Sequence, residues 1–170
     1  MMHTIKPTSY NYLFSADLKP IAAVNPGDTV EIYTEDAYAG QLHSEKDLVS
    51  EACATTQFFN PQTGPIYING AEPGDTLVVD FKSIEFTRPY AVTAIIKYFG
   101  GLQSTNATRM LQDSLPEKTW VWELTDDDKA IYNKALDIKL PVESFCGTMA
   151  TAPKLESITA VAPGYFGGNM

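Results

Sequence analysis

Few residue types in this chain are available for chemistry. Histidine occurs only at His3 and His43 in 170 residues. A metal site built from several histidines is therefore excluded, and a Ser-His-Asp triad would have to use His43 without any G-x-S-x-G elbow. No phosphate-binding loop, dinucleotide fingerprint or H-E-x-x-H helix occurs. Carboxylates, amides, hydroxyls, thiols and lysine remain, and four stretches gather them. The first is Thr34-Glu35-Asp36-Ala37. Adjacent acids on a strand point to opposite faces, so one can look into a pocket while the other meets solvent; an exposed acidic turn is the other reading. The second, Asn60-Pro61-Gln62-Thr63-Gly64-Pro65, runs on into Ile66 and Tyr67. Its prolines stiffen a loop that can present Asn60, Thr63 and backbone groups to a small polar ligand, or that simply leads into a strand. The third spans residues 145–153, FCGTMATAP. Small residues let a backbone pass close to a strand or a ligand. Cys146 lacks an assignable base and reads as a small buried hydrophobe. The fourth, residues 163–170 (PGYFGGNM), offers backbone N–H groups from a Gly-Gly-Asn loop to an anion or a carbonyl.

The elements that must position these stretches read as mostly β. Residues 29–34 alternate like a half-buried strand, and 76–86 (TLVVDFKSIEF) are longer and more apolar, as a central strand would be. Residues 90–99, 118–124, 135–140 and 157–161 are further strand candidates, with Trp120 and Trp122 on one face. Ser44 with Asp47 suggests a capping box for a helix that aligns Leu48, Val49, Ala52, Cys53 and Thr56. Residues 106–115 are a second helix candidate, with Met110 and Leu111 inward. Asp126-Asp127-Asp128 reads as a solvated turn between strands, without the ligand spacing of a calcium loop. Residues 25–30 (NPGDTV) recur as 72–77 (EPGDTL), each leading into a strand candidate. Asp28 and Asp75 are expected to be turn residues. The expected fold class is mainly β, a jelly-roll-like β-sandwich or barrel with one or two short helices.

Composition narrows the partners. With 44% hydrophobic and 19% charged residues the chain is globular in type, and its length suits a single β-rich domain. A net charge of −9 opposes binding to nucleic-acid phosphate. No apolar run reaches the roughly 18 residues of a membrane span, and the start MMHTIKP lacks a signal peptide's apolar core. Cys53 and Cys146 lie far apart, outside any metal-type pair, and read as free thiols of a reducing, cytoplasmic compartment.

In their order and spacing, the four stretches resemble the acetamidase/formamidase family. The matching pieces are P-G-D-T-V and T-E-D-A (to Ala37), N-P-Q-T-G-P-I-Y-I-N-G-A-E-P-G-D-T-L from Asn60, F-C-G-T-M-A-T-A-P and P-G-Y-F-G-G-N-M, together nearly the whole chain. The resemblance implies hydrolysis of small aliphatic amides, of formamide or acetamide type, to ammonia and a carboxylate. It also implies a jelly-roll-like sandwich, metal-assisted catalysis and a homo-oligomer. On it, Asp36 is the candidate ligand of a divalent metal, zinc ahead of calcium, and Glu35 the candidate catalytic acid. Asn60, Thr63 and Asn169 would line the substrate site. The chain departs from the family at Met149-Ala150-Thr151, where G-V or G-M is often found. Family members are also considerably longer: the pattern continues beyond G-G-N-M with an Asp and a second half holding a G-D-x-H segment and further acids. The chain is thus expected to be the N-terminal part of a longer protein, its site completed by a second polypeptide or the missing C-terminal half. A non-catalytic β-sandwich binding or interaction module is the alternative, and it accounts for the poverty of histidine.

Overall fold

The Pro-Gly-Asp echo is a structural repeat. Asp28 N–H donates to the Asn25 carbonyl at 3.1 Å while Asp28 Oδ2 accepts the Asn25 N–H at 2.9 Å. Asp75 N–H donates to the Glu72 carbonyl at 3.1 Å and its Oδ2 accepts the Glu72 N–H at 2.9 Å. Gly27 and Gly74 hold φ of 85° and 105°, the left-handed region that a side chain disfavours. The computed structural model from which these distances come describes all residues except 1, 53, 55–57, 102, 106, 110, 111, 126, 128, 162–166, 169 and 170.

Short strands dominate. In chain order they are β1 (Met2–Ile5), β2 (Leu13–Phe14), β3 (Ala22–Val24), β4 (Thr29–Ile32), β5 (Ile66–Ile68), β6 (Tyr90–Ile95), β7 (Lys118–Leu124), β8 (Ala130–Asn133), β9 (Ile138–Pro141), β10 (Thr148–Met149), β11 (Ile158–Thr159) and β12 (Gly167–Gly168). Among the described residues one helix, α1 (Val49–Ala52), lies between β4 and β5. The fold class is the expected one: mainly β and sandwich-like, with little helix. Among the described residues no helix is long and apolar enough to cross a membrane.

The chain divides into two compact units. The first joins Met1–Ala39, Phe58–Ile84 and Phe145–Met170. Here β1 runs parallel to β4, and β3 parallel to β5; β2 is antiparallel to β11, and β10 to β12. Ile5, Val24 and Ala160 form its buried apolar positions. The second unit joins Gly40–Gln57 and Glu85–Ser144. It holds an antiparallel sheet in the order β6-β7-β8-β9. Trp122 is buried on β7 and donates its indole N–H to Thr93 Oγ1 at 2.9 Å, which pins β7 to β6. Leu42, Val49 and Ala130 complete the buried apolar set of this unit.

Several expectations need correction. Residues 76–86 belong to no sheet among the described residues, and all of them are exposed. Their pattern favours extended chain, but a strand also needs a neighbour for its backbone groups. The Ser44–Asp47 box closes a turn upstream of the helix instead of starting it: Asp47 Oδ2 takes both the His43 and Ser44 N–H groups, at 2.7 and 2.8 Å. The helix then begins at Val49; Cys53 and Thr56 lie outside the described residues. The second helix is not formed by the described residues between 106 and 115. Thr105 Oγ1 instead accepts the N–H groups of Ala107 and Thr108, at 3.2 and 2.9 Å, a local bond that competes with helix. Met110 and Leu111 lie outside the described residues. β6 stops at Ile95, where a turn bonds Phe99 N–H to the Ile96 carbonyl at 3.2 Å. β9 starts later than the candidate at 135–140, because Asn133 Oδ1 captures the Leu136 N–H at 3.0 Å and turns the chain. Asp127 does sit in the connection between β7 and β8, accepting from the Thr125 hydroxyl at 2.8 Å; Asp126 and Asp128 lie outside the described residues.

Candidate functional site

The pairing of β4 with β1 continues one residue past the strand, where Tyr33 N–H donates to the Ile5 carbonyl at 3.0 Å. Beyond it the chain turns. Asp36 Oδ1 accepts the Tyr38 N–H at 2.7 Å, and the Asp36 carbonyl accepts the Ala39 N–H at 3.0 Å. Glu35 Oε1 accepts the Asp36 N–H at 2.8 Å. Because β4 ends at Ile32, strand alternation does not orient Glu35 and Asp36. The turn does, through an Asx bond from its own backbone. Both side chains are half-buried.

The loop at 60–65 is tied to both flanks of this acidic pair. Asn60 N–H donates to the Ala37 carbonyl at 2.8 Å, and Thr63 Oγ1 donates to the Tyr33 carbonyl at 2.7 Å. Asn60 adopts φ of 65°, a conformation that asparagine tolerates better than most residues. Its side-chain amide donates to Thr148 Oγ1 at 3.0 Å and to the Ala160 carbonyl. On the far side, Asn11 and Gln62 exchange backbone hydrogen bonds at 3.1 and 2.7 Å. Asn11 Nδ2 also donates to the Gly64 carbonyl at 2.7 Å. Tyr38 packs edge-on against Phe59, their ring centroids 6.0 Å apart.

Thr148 belongs to β10 and stands opposite Gly168 of β12. The Asn60 amide therefore joins the loop at 60–65 to the small-residue stretch, and that stretch pairs with the Gly-Gly segment. The first three stretches, with Gly167 and Gly168 of the fourth, meet within the first unit. Asn169 lies outside the described residues. Cys146 is not the fully buried hydrophobe expected: it is half-buried, a free thiol, and its Sγ lies 3.6 Å from the Thr148 carbonyl. The space beside it is open: a Cβ built at Gly147 would meet nothing within 4 Å, so little packs over this stretch.

These bonds restrict what each group can do. Both Asn60 amide hydrogens have protein acceptors, and Oδ1 has no partner among the described residues. A carboxamide oxygen is an acceptor, so this atom keeps the capacity to take an N–H. The Thr63 proton is committed to Tyr33, so Thr63 positions the loop and offers only lone pairs to a ligand. Among the described residues no group of three His, Cys, Asp or Glu side chains converges to hold a metal ion. Asp36 and Glu35 do not complete a metal shell by themselves. Sequence reasoning missed Asn11, a residue in no motif whose role comes wholly from pairing with a loop 51 positions away. The Thr148 hydroxyl lay inside a marked stretch without a role of its own.

A family model described as the acetamidase/formamidase family matches residues 2–161. Among solved structures, an acetamidase from Yersinia enterocolitica is 33% identical with a TM-score of 0.80, over 100% of this chain and 52% of that one. A recombinant predicted acetamidase/formamidase from the thermophile Thermoanaerobacter tengcongensis is 32% identical with a TM-score of 0.75, over 100% and 52%. An acetamidase from Bacillus halodurans, 24% identical with a TM-score of 0.74 over 99% and 52%, shares the fold. The chain thus spans about half the length of these proteins. Comparison with curated proteins gives no match.

Proposed function

The chain belongs to the acetamidase/formamidase family, and we propose that it takes part in hydrolysing small aliphatic amides, of formamide or acetamide type, to ammonia and a carboxylate. The observation that carries this reading is the convergence on Asn60: its backbone holds the Glu35–Asp36 turn and its side chain holds Thr148. In the reaction, water adds to the amide carbon and the C–N bond breaks. Asn60 Oδ1 accepts an N–H of the substrate's amide group and orients it. Glu35, at the edge of the same turn, moves the proton that the departing nitrogen needs. Asp36 would supply one carboxylate to a divalent cation, zinc or calcium. A cation of this kind polarises a carbonyl when bound. The remaining donors would come from a second polypeptide or from the missing C-terminal half. A homo-oligomer in the cytoplasm, where the Cys146 thiol stays reduced, completes the proposal.

The test uses the chain assembled with its completing polypeptide. Metal content is measured by mass spectrometry and ammonia release is followed from formamide and acetamide. Asp36→Asn keeps an oxygen for the Tyr38 N–H but loses the charge. Metal occupancy should fall, and ammonia release should drop by about 100-fold or more, as for loss of a group that stabilises transition-state charge. An unchanged rate removes Asp36 from the site, and no ammonia from either amide with the unsubstituted assembly removes the activity. The non-catalytic binding module is a second reading, favoured by the engagement of both acids with their own backbone. It predicts no metal, and a fold retained in Asp36→Ala.

A further inference from the structure

We infer that residues 76–84 are a docking strand, and that its occupant is a β-strand of the polypeptide making up the remainder of the longer acetamidases. The inference rests on the proposed need for a second polypeptide or a C-terminal half and names where it attaches. The same Pro-Gly-Asp turn precedes two segments. After Asp28 it launches β4, which finds β1 as neighbour. After Asp75 it launches 76–84, which belongs to no sheet among the described residues. The local signal for a strand is present twice, and among the described residues one copy is paired and the other is not.

The side chains of the second copy are those of a strand meant to be covered. Leu77, Val79 and Phe81 fall at every second position, and Val78 between them is 83% exposed. Charge enters only at Asp80 and Lys82, which pair with each other. A free strand edge is usually guarded by charge, proline or a bulge, and residues 77–79 carry neither charge nor proline. Exposed apolar chain of this kind marks an interaction surface. The solved acetamidases supply the occupant: they match the whole of this chain, and 48% of the Yersinia enterocolitica protein lies outside the match that covers 52% of it. Strand addition would satisfy the backbone and cover the apolar positions together.

Hydrogen exchange read by mass spectrometry tests this. The chain is measured alone, and again with the part of the Yersinia enterocolitica acetamidase that it does not match. Amides of 77–84 should exchange freely in the chain alone and at least 100-fold more slowly in the complex. Val79→Pro removes a backbone donor and should abolish the complex; Val79→Asp should weaken it at least 10-fold. Both variants should keep the circular dichroism of the unsubstituted chain, since Val79 is exposed. Absence of a complex, a complex in which 77–84 still exchange freely, or equal binding by Val79→Pro each overturns the inference. So does concentration-dependent protection in the chain alone, which would make a second copy the occupant. Association is read without catalysis: a protected complex that releases no ammonia upholds the docking strand and counts only against the amide reaction.

Discussion

The Asn60 side-chain amide donates to the Thr148 hydroxyl at 3.0 Å, across 88 positions of sequence. The same nitrogen also donates to the carbonyl of Ala160, a fully buried residue. Removing the amide leaves that carbonyl without its donor. Asn60→Gly keeps the left-handed backbone and should cost about 1–2 kcal/mol in urea unfolding. Asn60→Ala loses the amide and strains φ as well, and should cost about 1 kcal/mol more. Equal stabilities for the two variants would mean that the backbone at Asn60 is not held in that conformation.

Thr63→Val keeps the shape of the side chain and deletes the proton that reaches the Tyr33 carbonyl. The expected loss is about 1 kcal/mol by denaturant unfolding. For the proposed amide hydrolysis kcat should fall more than KM rises, since the loop would shift against Glu35 without losing a direct contact to the amide. A change in KM alone would make Thr63 a direct substrate contact.

Thr119 on β7 is fully buried, and its hydroxyl has no hydrogen-bond partner among the described residues. Thr119→Val replaces that oxygen with a methyl group of similar size. It should raise stability by about 1 kcal/mol, because an unsatisfied buried hydroxyl is unfavourable. A lowered thermal midpoint would show that the hydroxyl has a partner in solution.

The Asn25 N–H donating to Asp28, helped by His3 Nε2 at 3.2 Å, holds the Asp28 carboxyl well below the usual carboxylate range. A folded value below the unfolded one means that the carboxylate's contribution is complete above the ordinary range. It is lost as pH falls through that range toward the folded value. The thermal midpoint should therefore fall on acidification below about pH 4. Asp28→Asn should lower the midpoint at neutral pH and flatten that acid limb. An acid limb of unchanged steepness in the variant would assign the loss to other carboxylates, with Asp47 first among them, since the His43 and Ser44 N–H groups lower it too.

Much of the local structure was legible. Residues 118–124, rich in β-branched and aromatic side chains, marked β7 at its observed bounds, although burial falls on both faces, at Thr119 and at Trp122. Both Pro-Gly-Asp turns were legible for a similar reason: proline, a left-handed glycine and an Asp bonding back three residues act within one turn. The four stretches were recognised as a set by family likeness, and Asn60 and Thr63 within them do meet the acidic turn. Asn11 could not be found, since nothing near it in sequence touches Gln62. The start of the helix was placed too early because the Ser44–Asp47 bonds that cap a helix also close a turn, and here α1 begins at Val49.

By itself the sequence determined the family, the β class and the turns, all of which follow from residues a few positions apart or from an ordered set of motifs. Tertiary structure alone decided that Asn60 holds Thr148, that Thr63 holds Tyr33, and that 76–84 joins no sheet among the described residues while its twin after Asp28 is paired. A residue type states what bonds a group can make. Which group stands opposite depends on closing loops of tens of residues and on the chain available to pair, and neither is a property of the local segment.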